Sequence, residues 1–341
     1  MKIFMITAIF SIATNVVLAQ EWTRLPSLPD KEGFAGMFAG VSRGALIVAG
    51  GANFPGKKPW EGGAKVWRDT AFAQERPTGD WKIVGKLPRP IGYGVSVTHR
   101  DGVICVGGGD AARHYADVFR LDFERGKLVV TALTPLPQPL ANACGALVGD
   151  VLYVAGGQNE PTSAKASNSV HRIDLAAATP KWTEIAPCPG SGRILAVASA
   201  FDGAFWLIGG ADLFVGKEGK VERRWLTDAY RYDAVTGWKR IADLPRPVVA
   251  APSPAPTDAA GVLILGGDDG SQISVAPDAH RGFGKVVLCY EIKSGRWTEV
   301  GSMPAPRVTV PCVRWNETWV VPSGEARPGI RSPEVWRWNG K

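Results

Sequence analysis

A glutamate and an arginine stand six residues apart near the carboxyl end, in the segment Ser323-Gly-Glu-Ala-Arg-Pro-Gly-Ile-Arg331. Because Pro328-Gly329 favours a tight turn, the chain can bring Arg331 back beside Glu325. The pair is open to two interpretations, a surface salt bridge within a tight loop or a carboxylate and a guanidinium directed into a site. Which one applies depends on where the fold carries this loop.

The loop belongs to an altered copy of a segment that recurs along the chain. An apolar run ending in Gly-Gly occurs at residues 45–51, 103–108, 152–157, 205–210 and 262–267. Residues 318–324 form a further copy, with Ser-Gly in place of the doublet, and the steps between copies run from 49 to 57 residues. Later in most copies come a tryptophan, an apolar residue and a proline, beginning at Trp81, Trp182, Trp238 and Trp297. Self-similarity at this interval is typical of propellers and solenoids.

This order of motifs resembles the kelch repeat over nearly the whole length after the first twenty residues. The resemblance implies one four-stranded blade per repeat and therefore an all-β, six-bladed β-propeller. A blade has two apolar faces and is too small to be stable alone, so neighbouring blades must stack around an axis.

The two ends of the chain predict how the ring closes. The last repeat stops at Trp338-Asn-Gly-Lys341 without its outer strand, and the missing motif stands at the start, as Trp22-Thr-Arg-Leu-Pro26. We predict that residues 21–29 complete the last blade, which removes the free sheet edges. Residues 20–341 would then form a single propeller domain.

The first nineteen residues have the pattern of an export signal. Lys2 is followed by apolar runs at residues 3–10 and 12–18 and by the small residue Ala19. A membrane anchor is the rival interpretation, but the apolar stretch is shorter than the roughly 20 residues that a spanning helix needs. We predict cleavage after Ala19 and a periplasmic or secreted protein that has no membrane contact after cleavage.

Kelch propellers include enzymes and binding modules, so function has to come from loops. Long loops follow four of the doublets, at residues 52–69, 158–168, 211–228 and 268–284, and long loops gathered at one mouth mark a functional face. Asn53 follows a doublet, while Tyr93, Arg193 and Arg307 begin inner strands, so we treat these four as candidates for substrate binding. Core packing for Tyr93 and a structural role for the two arginines are the competing interpretations.

A narrower resemblance concerns the Glu325 segment. Residues 324–331 are similar to the active-site loop of the bacterial N-acetylneuraminate epimerases (sialic acid mutarotases), which are exported six-bladed kelch propellers. Residues 33–54 and 93–97 resemble other blades of that family. In its best-known members the loop precedes the blade that resembles residues 33–54, whereas here it is C-terminal. The chain therefore resembles a circular permutation of the same ring, as in the cyclically permuted mutarotases.

The resemblance implies an isomerase that interconverts the α- and β-anomers of N-acetylneuraminate, or of a related sugar acid, by ring opening and closure. That reaction takes a proton from the anomeric hydroxyl and gives one to the ring oxygen, and the implied acid/base is Glu325. Arg331 would bind or orient the carboxylate of the substrate, for which its planar fork is suited.

The resemblance requires no cofactor and no metal, and the four histidines show no ligand spacing. The net charge of +7 is scattered and has no run typical of nucleic-acid binding, but it would attract an anionic sugar acid. Protein partners are not indicated. The alternative is a non-catalytic kelch propeller that binds carbohydrate or protein.

Overall fold

Antiparallel sheets of four strands recur along the chain and are arranged as six blades around an axis. The computed structural model describes residues 21–340, so the predicted signal segment lies outside the described residues. Blades 1 to 3 contain the strands Phe38–Ser42, Ala45–Ala49, Thr70–Gln74 and Lys82–Lys86; Val95–His99, Gly102–Val106, Val118–Glu124 and Lys127–Ala132; Cys144–Val148, Val151–Ala155, Val170–Asp174 and Thr183–Ile185. Blades 4 to 6 contain Val197–Phe201, Ala204–Ile208, Ala229–Asp233 and Gly237–Arg240; Gly261–Gly267, Gly284–Glu291 and Arg296–Ser302; Val313–Trp315, Thr318–Pro322, Val335–Trp338 and Trp22–Leu25.

The predicted six-bladed β-propeller is confirmed, with one departure in blade 5, which has three regular strands. Its innermost segment contains Pro252, Pro254 and Pro256. Proline has no N–H to donate to a strand ladder. The segment therefore occupies the place of the innermost strand without forming a regular strand. A bridge at Thr257–Val262 is its remaining ladder contact.

Three short ribbons and one helical turn project from one mouth of the ring, each after a Gly-Gly or Ser-Gly pair. They are Ala52–Asn53 with Val66–Trp67, Ala211–Val215 with Val221–Trp225, Glu325–Arg327 with Ile330–Arg331, and the 3₁₀ turn Pro59–Glu61. Among residues 21–340, no helix is long and apolar enough to cross a membrane.

The core lies between the blades, in layers that each combine side chains of two neighbouring sheets. Phe38 of blade 1, for example, packs edge-on against Phe119 of blade 2, with ring centroids 5.6 Å apart. The recurring tryptophans add a polar link to this packing, because each donates its indole N–H to a carbonyl of the preceding blade. These bonds are Trp81 to Pro26 (2.8 Å), Trp182 to Thr134 (3.0 Å), Trp238 to Ala186 (2.8 Å) and Trp297 to Ala242 (2.9 Å).

The chain ends meet in blade 6, as the sequence predicted for the closure of the ring. Trp22–Leu25 runs antiparallel to Val335–Trp338, with Trp22 opposite Trp338 and Leu25 opposite Val335. The two indoles stack with centroids 5.9 Å apart, and Leu25 is buried in the cluster shared by blades 5, 6 and 1. The first strand thus covers what would be an open sheet edge.

A second closure lies at the axis, where one residue from each blade adopts a left-handed conformation, with φ between 54° and 67°. Each of these residues donates its N–H to the carbonyl of its counterpart in the preceding blade, over 2.6–2.8 Å. The last bond runs from Gly36 of blade 1 to Thr309 of blade 6 and completes a circle of six. The members of this axial ring are Gly36, Tyr93, Asn142, Leu195, Ala250 and Thr309.

The closing strand supplies a test of its contribution to stability. Leu25→Ala should lower the free energy of unfolding by roughly 2–5 kcal/mol, because it leaves a cavity between blades 6 and 1. Arg24→Ala should change it little, because Arg24 is on the same strand but is exposed, and its half-buried partner Glu334 keeps its ion pair with Arg307. Urea unfolding followed by tryptophan fluorescence measures both variants, and equal effects would contradict a structural role for the buried face of this strand.

Candidate active site

The mouth of the ring has six equivalent positions, one per blade, directly after the glycine doublets. In each blade the residue at this position forms a bridge to the residue that precedes the axial-ring residue. The six residues are Ala52, Gly109, Gln158, Ala211, Asp268 and Glu325. Among these six, Gln158, Asp268 and Glu325 have long polar side chains. Their shared position in the blades brings these three functional groups to the mouth of the ring.

A cavity of about 550 Å³ opens at this mouth, within the size range of small-molecule sites. Its wall combines aromatic rings, cations and carboxylates from most of the blades. The aromatic and charged lining residues are Phe54, Trp67, Tyr93 and Phe283; Lys65, Arg223 and Arg331; and Asp110, Asp268 and Glu325. A polar ring-shaped ligand with hydroxyls and a charge suits this mixture.

Glu325 is held at one oxygen only. The ribbon places Glu325 opposite Arg331 across the Pro328-Gly329 turn, where Gly329 has a φ of 78° that favours glycine. Arg331 Nη1 donates to Glu325 Oε1 over 3.0 Å, and the Gly329 N–H donates to the same oxygen over 2.9 Å. Oε2 has no hydrogen-bond donor within residues 21–340, while the residue lines the cavity. One carboxylate oxygen is therefore fixed and the other is available to a ligand.

Arg331 is fixed on its other side by an aromatic ring from blade 1. Its Cζ lies 4.8 Å from the centroid of Phe54, in cation–π geometry, and its side chain is 3% exposed. Phe54 reaches this place because it follows the strand Ala52–Asn53 at the inner end of blade 1, the neighbour of blade 6. The ion pair of blade 6 is thus in contact with a residue of blade 1.

The other polar groups of the cavity are fixed by their neighbours. Asp268 accepts hydrogen bonds from Trp225 Nε1 over 3.2 Å and from the Gly270 N–H over 2.9 Å. Gln158 Oε1 accepts a bond from Asn142 Nδ2 over 3.1 Å. These groups form a rigid set of hydrogen-bonding atoms along the wall.

His114 lines the same wall as a neutral donor. Its Nδ1 lies 3.0 Å from the carbonyl oxygen of Gln158 and, because a carbonyl only accepts, this nitrogen carries the hydrogen. Burial lowers the pKa of His114 and so favours the neutral imidazole at pH 7.

Of the six residues proposed from the sequence, Glu325, Arg331 and Tyr93 line the cavity. Tyr93 is a member of the axial ring, and its hydroxyl is buried with no hydrogen-bond partner among residues 21–340.

The other three proposed residues lie apart from the lining of this cavity and have partners within the protein, and their role in substrate binding stays a prediction. Asn53 is fully buried beneath the ribbon, where its side chain donates to the Gly33 carbonyl over 3.1 Å and accepts from Arg68 over 3.2 Å. Arg193 and Arg307 are 1% and 2% exposed and pair with Asp228 and Glu334 of their own blades. None of the three lines the cavity.

The sequence reasoning missed Phe54, Lys65, Trp67 and Asp268. Asp268 was within reach, because it stands 57 residues before Glu325, at the equivalent position of the preceding repeat. The other three lie on or beside the first ribbon, and the ribbons of blades 4 and 6 differ from it in length and sequence, so no periodic signal points to them.

Comparison with known proteins agrees with this architecture. Residues 7–130 match the family model N-acetylneuraminate epimerase. Residues 139–189 match the Kelch motif model. The predicted resemblance is thereby confirmed. The family match includes Phe54, Lys65 and Tyr93, whereas Glu325 and Arg331 lie outside it.

The similar curated proteins are N-acetylneuraminate epimerases. That of Salmonella arizonae (strain ATCC BAA-731 / CDC346-86 / RSK2980) is 39% identical over 121 residues, which are 32% of this chain and 31% of the relative. That of Haemophilus influenzae (strain 86-028NP) is 36% identical over 125 residues, which are 32% of this chain and 33% of the relative. The chain thus spans about a third of the length of the curated relatives that it matches.

A solved structure described as "Structure of YjhT" is similar over far more of the chain. It superimposes with a TM-score of 0.63 over 90% of this chain and 94% of that one, at 16% sequence identity. At this identity the likeness shows the propeller fold alone.

The buried pair of Arg193 and Asp228 yields a stability prediction. Burial raises the pKa of Asp228, but the hydrogen bonds and charge of Arg193 outweigh burial and leave that pKa below its ordinary value. Asp228→Asn should lower the free energy of unfolding by roughly 3–5 kcal/mol, because Arg193 then stays buried without its counter-charge. Urea unfolding at pH 7 measures the loss.

The matched control lies in the same blade, where Arg240 and Asp243 form a solvent-exposed pair. Asp243→Asn should leave the unfolding midpoint unchanged within error.

The depressed pKa of Asp228 also determines the sign of the pH dependence of this stability difference. A depressed pKa contributes stability above the unfolded-state pKa, and this contribution is lost as the pH falls through the folded-state pKa. The difference between wild type and Asp228→Asn should therefore persist from pH 5 to 8 and shrink below about pH 4.

Proposed function

We propose that this protein is a mutarotase that interconverts the α- and β-anomers of N-acetylneuraminate or a closely related sugar acid. The observation that carries the proposal is Glu325 on the wall of a cavity of about 550 Å³, a carboxylate that is fixed at Oε1 and has no donor at Oε2 among residues 21–340. The local similarity to proteins named N-acetylneuraminate epimerase supports the same reaction class.

Anomer exchange needs one group that both accepts and donates a proton. Glu325 Oε2 takes the proton of the anomeric hydroxyl, the anomeric carbon forms a carbonyl, and the bond from this carbon to the ring oxygen breaks. The ring oxygen receives a proton from the same carboxyl group. After rotation about the bond to the carbonyl carbon, the reverse steps close the ring on the other face. No atom is gained or lost, so the residues of this cavity suffice for the chemistry.

Arg331 acts by holding Glu325 in place. Its Nη1 is bonded to Glu325, and its guanidinium is buried against Phe54, so the ion pair fixes the direction in which Oε2 faces. The resemblance implies that Arg331 binds the substrate carboxylate, but its charge is already balanced by Glu325. We therefore assign it to the orientation of the acid/base group.

The remaining wall suits a polyhydroxylated ring. Asp268 and Gln158 offer hydrogen-bonding oxygens that are already oriented by their neighbours, and Tyr93 adds to the cavity lining. Phe54 and Trp67 provide apolar surface for the less polar face of a sugar. We further propose that the protein acts in the periplasm or outside the cell, as the pattern of residues 1–19 indicates.

The direct test follows α-anomer conversion by NMR, with the α-anomer generated in the tube by a sialidase at a pH where spontaneous conversion is slow. The wild type should accelerate the approach to equilibrium, and Glu325→Gln should lower kcat at least about 100-fold, because the amide cannot take the proton.

Glu317→Gln serves as the control. Glu317 is a highly exposed carboxylate in the turn between two strands of blade 6, and it does not line this cavity. This variant should match the wild type. If the wild type converts the α-anomer only at the spontaneous rate, the mutarotase proposal for this sugar fails. Binding of N-acetylneuraminate without conversion would then favour a carbohydrate-binding propeller.

A further inference from the structure

Lys65 lies beside Phe54 at the cavity end of the first ribbon. Ala52 pairs with Trp67 and Asn53 with Val66, so the same register brings Phe54 and Lys65 together as the next pair. Directly opposed residues share a face of a two-stranded ribbon, as do residues two apart on one strand. Phe54, Lys65 and Trp67 therefore project from the same face, and all three line the cavity.

The ammonium group of Lys65 is surrounded by rings. Its Nζ lies 5.1 Å from the ring centroid of Tyr93, 5.4 Å from that of Trp67 and 5.9 Å from that of Phe54. The residue is half-buried, and within residues 21–340 it has no carboxylate partner and no hydrogen-bond acceptor. Lys58 of the same loop, by contrast, pairs with Glu32.

We propose that Lys65 binds the carboxylate of the substrate and thereby selects sugar acids whose carboxylate is attached to the anomeric carbon. The inference rests on the proposed function, whose substrate class it explains. A cation that is partly removed from water and lacks an anion is left with an unmet interaction, and a ligand carboxylate supplies it. The three rings restrict access of water to the contact, which strengthens it.

The other cations of the cavity are less suited to this role. Arg331 is engaged by Glu325, and Arg223 stands on the exposed hairpin that rises from blade 4. Within the described cavity wall, Lys65 is therefore the cation that is both half-buried and without a carboxylate partner.

The position of Lys65 relative to Glu325 fits the geometry of a 2-keto sugar acid. The Phe54 ring contacts both Lys65 and Arg331, the partner of Glu325, so the ammonium group lies close to the Glu325–Arg331 pair. In N-acetylneuraminate the carboxylate and the anomeric hydroxyl are bonded to the same carbon. A carboxylate held by Lys65 therefore carries the anomeric hydroxyl toward the free oxygen of Glu325. A neutral aldose lacks this handle.

The test compares N-acetylneuraminate with its methyl ester, which is neutral but has nearly the same shape. By isothermal titration calorimetry, Lys65→Met should bind the acid roughly 10- to 100-fold more weakly than the wild type does, with little change for the ester. In the NMR assay, KM for the acid should rise by a similar factor, while kcat stays within about threefold. Lys65→Arg should recover part of the affinity, since it restores the charge.

Lys57→Met controls for net charge, because Lys57 lies exposed on the same loop and does not line the cavity. It should bind both ligands as the wild type does. The proposal is overturned if Lys65→Met weakens acid and ester equally, if it leaves the acid unaffected, if only Arg223→Met weakens the acid, or if the wild type binds the acid no better than the ester.

The two proposals can fail separately. Normal conversion by wild type together with unchanged kinetics in Lys65→Met rejects the role of Lys65 and leaves the mutarotase proposal standing. Lys65-dependent binding of the acid without any catalysed conversion rejects the mutarotase and leaves the carboxylate site.

Discussion

The circle of six backbone hydrogen bonds at the axis is the constraint on which the rest of this structure depends. Every blade gives one N–H and one carbonyl to it, so the circle is complete only when the last blade meets the first, through Gly36 and Thr309. The bonds require positive φ, which costs a non-glycine residue roughly 1–2 kcal/mol. Tyr93 and Leu195 adopt it nonetheless, at φ values of 63° and 54°. Because the bridge next to each axial-ring residue fixes the position after the glycine doublet, the same circle places Glu325 at the mouth.

Neighbouring blades approach each other so closely at the doublets that glycine is required there. The one exception, the Ser-Gly pair of blade 6, links the two ends of the chain. A Cβ on Gly50 would lie 2.5 Å from the carbonyl oxygen of Ile91 in the next blade. In blade 6 the equivalent residue is Ser323, with a φ of 78°. Its hydroxyl accepts a bond from the Phe34 N–H of blade 1 over 2.8 Å and donates within its own blade to the Ser332 carbonyl over 2.7 Å. The altered repeat therefore joins the two ends of the chain directly beneath Glu325.

The periodic parts of this molecule could be predicted from its sequence, and the parts that depend on single contacts could not. The repeat fixed the number of blades and the closure by residues 21–29, and the turn at Pro328-Gly329 indicated that Arg331 returns beside Glu325. The sequence did not reveal the partners of Arg193 and Arg307, because each arginine pairs with a carboxylate some 30 residues later in the chain. Lys65 escaped notice because its position depends on the register of the first ribbon, which differs in length and sequence from the ribbons of blades 4 and 6.

The candidate site lies across the seam of the ring. Glu325 and Arg331 come from the last blade, whereas Phe54 and Lys65 come from the first, and the cation–π contact of Arg331 with Phe54 joins the two sets. Each blade boundary elsewhere repeats the same axial hydrogen bond, and most repeat the tryptophan link, so stability does not require the site to be at this boundary. Its location has a different consequence. Glu325 and the groups that surround it come together only after both ends of the chain have docked in blade 6, so an incompletely closed ring has no assembled candidate site.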